Sequence, residues 1–102
     1  MAEPIFHLCT IDAWNHAQLA GSYQADSLHT EGFIHCSTNE QWPHVRRARF
    51  AGRDDLVLLA IDPELLRWPV VWEPGGEGNQ VFPHVYGPLN LEAVISVQIL
   101  PT

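Results

Sequence analysis

Leu56-Val57-Leu58-Leu59-Ala60-Ile61 is a continuous apolar run, closed off by Asp54-Asp55 before it and Asp62-Pro63 after it. Its length and its flanking breakers suit a strand covered on both faces. What lies on either side of that strand decides the fold class. On the N-terminal side, Pro4–Cys9 reads as a short strand, and Thr10 caps a helix of about ten residues. Ile11, Trp14 and Ala17 form the buried stripe of that helix, and Gly21 ends it. Residues 22–31 are polar and loop-like, with Tyr23 and Leu28 as anchors. Gly32–Ser37 reads as a second strand. Thr38 and Gln41 have the spacing of a capping box for a second helix, whose inner face would hold Trp42, Val45 and Ala48. Pro43 sits close to the start of that helix.

On the C-terminal side only strands are expected. Val70–Glu73 is short, and Pro74–Asn79 is a flexible Gly-rich connection. Val81–Tyr86 is placed at a sheet edge, because Pro83 cannot donate to a ladder, and Gly87-Pro88 stops it. Val94–Leu100 alternates, with Ile95, Val97 and Ile99 on one face, and closes the chain. Helices early and strands late favour an α+β domain over residues 1–102, with mainly antiparallel pairing, rather than a doubly wound parallel sheet.

Composition limits the function. The 102 residues are 46% hydrophobic and 17% charged, with a net charge of −7. Such a body is a poor partner for nucleic acid or anionic lipid. The apolar run is far short of the roughly 20 residues a membrane helix needs. The N-terminal Met1–Ile5 stretch has no basic, then apolar, signal pattern, so a cytoplasmic protein is expected. Cys9 and Cys36 are too few for a disulfide scaffold. All five Arg fall between Arg46 and Arg67, and there is no Lys; five of the six His fall in residues 1–45. Titratable chemistry therefore rests on imidazole.

Three strands each carry a histidine: His7, His35 and His84. Alternation puts Phe33, His35 and Ser37 on one face of their strand, and Phe82, His84 and Tyr86 on one face of theirs. Aromatic rings beside hydrogen-bonding heads suit a flat, polar ligand. The simpler alternative is three unrelated histidines, each satisfied by a nearby carbonyl. A metal site is not expected, since the adjacent His35 and Cys36 point to opposite faces and no Cys-x-x-Cys or His-x-x-x-His pair exists. Ser37-Thr38 lacks the Gly-x-Ser-x-Gly elbow of a hydrolase, and the capping box accounts for Thr38. Cys36 reads as a buried structural thiol. Arg46, Arg47 and Arg49 read as a solvated helix face rather than a phosphate clamp. The Pro74–Asn79 loop matches neither a P-loop nor a dinucleotide fingerprint.

Several blocks together resemble one family. Ile5-Phe-His7, Gly21-x-Tyr23, Glu31-Gly-Phe-Ile-His-Cys-Ser-Thr38, Leu58-Leu-x-Ile61-Asp62 and Phe82-Pro-His-Val-Tyr-Gly-Pro-Leu89 look like the domain-of-unknown-function 952 family. The resemblance covers nearly the whole chain. It implies the ADP-ribosylation fold, shared with ADP-ribosyltransferases and tRNA 2′-phosphotransferases, in which NAD or ADP-ribose lies in a cleft between two small sheets. It further implies that His7 and the His35-x-Ser37 element hold ribose hydroxyls and the nicotinamide end. The transferases carry a glutamate on a late strand; here that strand offers His84 and Tyr86, and neither Glu73 nor Glu92 matches the pattern. The resulting expectation is a nucleotide site with His35 or His84 as acid/base and His7, Tyr23, Ser37, Phe82 and Tyr86 as binding residues. The alternatives are a non-catalytic binding module without the glutamate, and a protein-interaction domain.

Overall fold

The apolar run is a strand, and all six of its residues are buried. A computed structural model describes residues 2–75 and 79–101. Met1 of the N-terminal stretch, and Gly76, Glu77 and Gly78 of the expected Gly-rich connection, lie outside the described residues. In chain order the elements are β1 (Ile5–Thr10), α1 (Ile11–Ala20), β2 (Ser22–Tyr23), α2 (Asp26–Thr30), β3 (Ile34–His35), α3 (Trp42–Arg49), β4 (Leu56–Ile61), β5 (Val70–Pro74), β6 (Val81–Val85), β7 (Leu89–Asn90) and β8 (Val94–Ile99). The architecture is α+β, with one antiparallel sheet in the order β1-β4-β8, a second in the order β3-β6-β5, and a small β2-β7 pair.

β4 is covered on both faces because it lies between two cores. Val57, Leu59 and Ile61 pack with Ile5, Cys9, Trp14, Ile34, Cys36 and Val85, so the inner face of the second sheet lies against the first. Leu56 and Leu58 pack with Leu8, Leu100 and the α3 residues Trp42 and Val45. The two sheets are joined by a backbone bridge: Phe6 N–H donates to Ser37 O at 2.8 Å, and Ser37 N–H to Phe6 O at 2.7 Å.

Local signals mark the helix ends. Thr10 Oγ1 accepts from Ala13 N–H at 3.0 Å, and Gly21 ends α1 at φ +90°, a conformation natural only to glycine. The capping box forms in full: Gln41 N–H donates to Thr38 Oγ1 at 3.2 Å, and Thr38 N–H to Gln41 Oε1 at 2.9 Å.

Three expectations need correction. Residues 22–31 are not simply a loop: they hold β2, which pairs with β7, and the single-turn-scale helix α2. The described residues accordingly contain three α-helices rather than two. And β6 is the middle strand of its sheet, not an edge. In an antiparallel ladder a residue's N–H and C=O point the same way. Pro83 O accepts from Cys36 N–H at 3.1 Å, so the missing donor faces β3, which has already ended at His35. Toward β5, Pro83 lies opposite Trp72 and needs no bond of its own. In β8 the expected alternation is broken at Ile95, which falls at a bulge between Val94 (opposite Ile61) and Ser96 (opposite Ala60), and Ile95, Val97 and Ile99 are exposed.

Gly87 follows Tyr86 at the end of β6, and a Cβ there would run into the Trp68 indole. Gly87→Ala should lower stability by about 1–3 kcal/mol in urea denaturation and shift tryptophan emission as Trp68 is displaced. A variant with wild-type midpoint and emission would show that the contact is not needed.

Candidate functional site

The hairpin register decides which side chains meet. β5 and β6 pair so that Val71 lies opposite His84 and Glu73 opposite Phe82, while His84 lies opposite His35 of β3. Opposed residues share a face. The outer face of this sheet therefore carries His35, Phe82, His84, Tyr86 and Glu73, with Phe33 at its margin. The opposite face carries Ile34, Val85 and Pro83 into the protein.

On the outer face, Phe33 stacks on His84 with ring centroids 4.1 Å apart and planes 16° from parallel. The His35 ring meets His84 edge-on at 5.2 Å and Phe33 at 4.9 Å. Tyr86 lies 5.3 Å from Phe33. Glu73 ties the group together. Its Oε1 accepts from Tyr86 O–H at 2.6 Å and from His84 Nδ1–H at 2.8 Å. Tyr86 first, then His84, holds the Glu73 carboxyl below the usual carboxylate range, and the same carboxylate raises the Tyr86 phenol. His35 is 46% exposed, and its Nε2–H donates to Glu31 at 2.9 Å, which lowers the Glu31 carboxyl.

His84 is only 3% exposed. Because Nδ1 donates to a carboxylate, the neutral ring carries its lone pair on Nε2. That atom is buried and has no partner among the described residues. The Gly75 backbone passes beside this nitrogen: a Cβ there would lie 3.6 Å from it, in ordinary contact. A carboxylate orienting an imidazole whose second nitrogen is free is the arrangement of a general base.

His7 does different work. It projects from β1 between the two sheets, where its Nδ1–H donates to the His35 carbonyl at 2.6 Å and its Nε2 accepts from Tyr23 O–H at 2.8 Å. Burial lowers its pKa to about 4, so the ring is neutral. Burial likewise raises the Tyr23 phenol and the Cys36 thiol well above their usual ranges, and it pushes the Cys9 thiol up to about 11. Both cysteines are inert, reduced core residues.

The structure thus brings His35, Phe82, His84 and Tyr86 onto one face. His7 and Tyr23 form a buried pair behind it, joined to it through the His35 backbone. Ser37 is buried at the bridge to Phe6. Glu73 and Phe33, the residues that organise the cluster, are not among the expected binding residues. The alternation of Val71 and Glu73 across a hairpin to Phe82 and His84 is the signal that finds Glu73. Glu92 is elsewhere, ion-paired with Arg67 at 2.9 Å. Two open hollows, of about 470 and 500 Å³, lie on other surfaces: one is lined by Trp42, Arg46, Arg47, Phe50 and Arg53, the other by Gln41, His44, Trp72 and Gln80. Neither is lined by His7, His35 or His84. In the first, Arg46 donates to the Pro101 carbonyl and Arg53 pairs with Asp55, so two of its three guanidinium groups are already engaged. Among the described residues no group of three or more His, Cys, Asp or Glu is placed to hold a metal ion, and no helix is long and apolar enough to cross a membrane.

Residues 8–97 match the family described as "Protein of unknown function (DUF952)", and the chain belongs to that family. It is similar to the crystal structure of protein CC0527 from Caulobacter crescentus, with a TM-score of 0.84 and 29% identity over 97% of this chain and 93% of that one. The solution NMR structure of CC0527 matches with a TM-score of 0.76 and 29% identity over 96% of this chain and 84% of that one. No curated protein matches the chain.

A buried neutral histidine makes stability pH-dependent. The unfolded chain protonates His7 near 6.5, whereas the folded chain does so only near 4, so between these values the unfolded state binds more protons. Stability is therefore full above pH 6.5 and falls as the pH drops toward 4, by about 2 kcal/mol at pH 5 from this residue. Urea midpoints at pH 7.5 and 5 should show that loss in the wild type and a smaller one in His7→Gln, which cannot titrate. Equal losses would place the acid sensitivity elsewhere.

Proposed function

We propose that the outer face of β3-β6-β5 binds a small ribose-bearing nucleotide, NAD, ADP-ribose or a derivative, and acts on its N-glycosidic bond. The observation that carries this reading is the His84–Glu73 pair, with its buried and unpartnered Nε2. The transferase resemblance asks for a glutamate on the late strands, and Glu73 of β5 supplies a carboxylate beside His84 although its position departs from the transferase pattern. Two antiparallel three-stranded sheets joined at Phe6–Ser37 support reading the architecture as the ADP-ribosylation fold.

In this reading a water attacks C1′ of the ribose and passes its proton to His84 Nε2. The C1′–N bond breaks, and its electron pair leaves with nicotinamide. Glu73, held ionised by Tyr86, faces the positive charge that develops on the ribose ring. Phe33 and His35 offer ring surfaces to the base or the nicotinamide.

One observation favours a second reading, a binding module without turnover. His84 is 3% exposed and its Nε2 is buried, so a ligand reaches that nitrogen only if the groups covering it move aside.

Amide spectra of the labelled protein, recorded against ADP-ribose and against NAD, should show shifts clustered in 33–37 and 82–86. Nicotinamide release from NAD should fall about 10²–10⁴-fold in His84→Ala with the far-UV spectrum unchanged, and should also fall in Glu73→Gln. Clustered shifts without release from the wild type would establish the module. No shifts at millimolar ligand, an affinity weaker than about −4 kcal/mol, would overturn the nucleotide reading.

A further inference from the structure

The contacts on the outer face of β3-β6-β5 fix where its side-chain hydrogens go. Tyr86 O–H and His84 Nδ1–H both end on Glu73 Oε1, at 2.6 and 2.8 Å. His35 Nε2–H ends on Glu31 at 2.9 Å. Each of these donors is given to a carboxylate, and an ionised carboxylate only accepts. The Glu73 and Glu31 side chains are 34% and 48% exposed, so a ligand can reach their remaining lone pairs. With the lone pair on His84 Nε2, the polar groups this face offers a ligand are acceptors.

The same face is short of positive charge. The chain has five Arg and no Lys. Arg46, Arg47 and Arg53 line the hollow beside α3, and Arg67 pairs with Glu92. Arg49 is the cation that acts here. His35, and beyond it Arg49, hold the Glu31 carboxyl below its usual range, but among the described residues no ion pair joins Arg49 to Glu31. Two carboxylates thus stand beside Phe33 and Tyr86, half-buried rings with centroids 5.3 Å apart. Negative charge and π surface together attract a cation, and free acceptors suit the hydroxyls of a ribose. A diphosphate brings like charge and no donor of its own, so the same groups disfavour it.

Resting on the reading that this face cleaves an N-glycosidic bond, we propose that its substrate is a phosphate-free nucleoside whose base is a permanent cation, an N-ribosyl pyridinium. The ribose hydroxyls donate to the carboxylates, and the pyridinium lies against Phe33 and Tyr86. Water attacks C1′ and gives up one proton to His84 Nε2. The C1′–N bond breaks, its electron pair stays with the ring nitrogen, and the cation leaves as a neutral pyridine. Such a leaving group needs no proton, so a face whose donors are already held by carboxylates suffices. A neutral purine departs readily only when an acid protonates it.

Base release by the full chain is compared for nicotinamide riboside, nicotinamide mononucleotide and NAD, which share the scissile bond and differ in phosphate, with adenosine as the neutral-base control. The riboside should have the highest kcat/KM, with NAD lower by about tenfold or more, and adenosine should stay intact. Added salt should slow the riboside reaction and speed that of NAD, because it screens attraction in one case and repulsion in the other. Glu31→Gln removes one exposed charge and should cut the riboside-to-NAD preference about fivefold, with the far-UV spectrum unchanged. NAD cleaved as well as the riboside, adenosine cleaved alongside it, a salt response of opposite sign, or a Glu31→Gln preference equal to that of the wild type overturns the phosphate-free cation and leaves the glycosidic reading standing. No release from any of the three pyridinium substrates overturns the glycosidic reading, and this inference with it.

Discussion

The backbone exchange between Phe6 and Ser37 is the joint on which the remaining geometry depends. Among the described residues it is the one two-bond backbone bridge between two sheets that otherwise meet through side chains. The neighbouring His7 reinforces it by donating to the His35 carbonyl from the next position along β1. The result sets both where β3 lies and how His35 projects from it. β3 is only two residues long, too short to hold its own place by ladder bonds. It is held from behind by β1, in front by β6, and below by Ile34 in the core. Burying His7 as a neutral ring is part of the same arrangement. Tyr23 O–H donates a hydrogen bond to Nε2, which fixes the tautomer whose Nδ1–H donates to the backbone.

Much of the scaffold is legible in residue order because local chemistry decides it. Leu56–Ile61 has no polar face, so only a strand with two cores will take it. Thr10, Gly21, and the Thr38–Gln41 pair bring their own caps wherever tertiary packing allows. The failures have one origin, which is partner choice. The rule that proline lacks a donor places Pro83 at an edge. The rule forbids a donor on one side only, and the end of β3 meets that condition in the middle of a sheet. Ser22-Tyr23 is a strand only because Leu89-Asn90 lies alongside. Ile95, Val97 and Ile99 alternate in sequence as a buried face should, yet β8 is last in its sheet, and nothing in the alternation tells which strand is outermost.

The candidate site divides in the same way. Phe82, His84 and Tyr86 share a face by the two-residue period, and so do Phe33 and His35. Glu73 belongs with them only through the hairpin register, which sets it opposite Phe82 and one step from His84. Read on its own strand, Glu73 is merely the acid before a proline. Read across the hairpin, it is the group that orients both Tyr86 and His84. The tie between His7 and the site is less visible still, since it runs through a main-chain carbonyl, and residue identity carries no signal for that.

The chemistry of position 84 argues for a role beyond packing. A phenyl ring there would stack on Phe33 as well as the imidazole does, and it would leave no buried acceptor unpaired. The imidazole leaves Nε2 without a partner among the described residues, a desolvation cost of about 1–3 kcal/mol. One charge-assisted bond from Nδ1 to Glu73 offsets that cost in part, but Glu73 is partly exposed and already bonded by Tyr86, so it does not depend on His84 for satisfaction. What the imidazole adds is a lone pair on a buried nitrogen beside Gly75, with no hydrogen-bond donor on it among the described residues. A ligand that donates to Nε2 recovers the lost hydrogen bond, and the same atom is the one the proposed glycosidic chemistry uses to take up a proton.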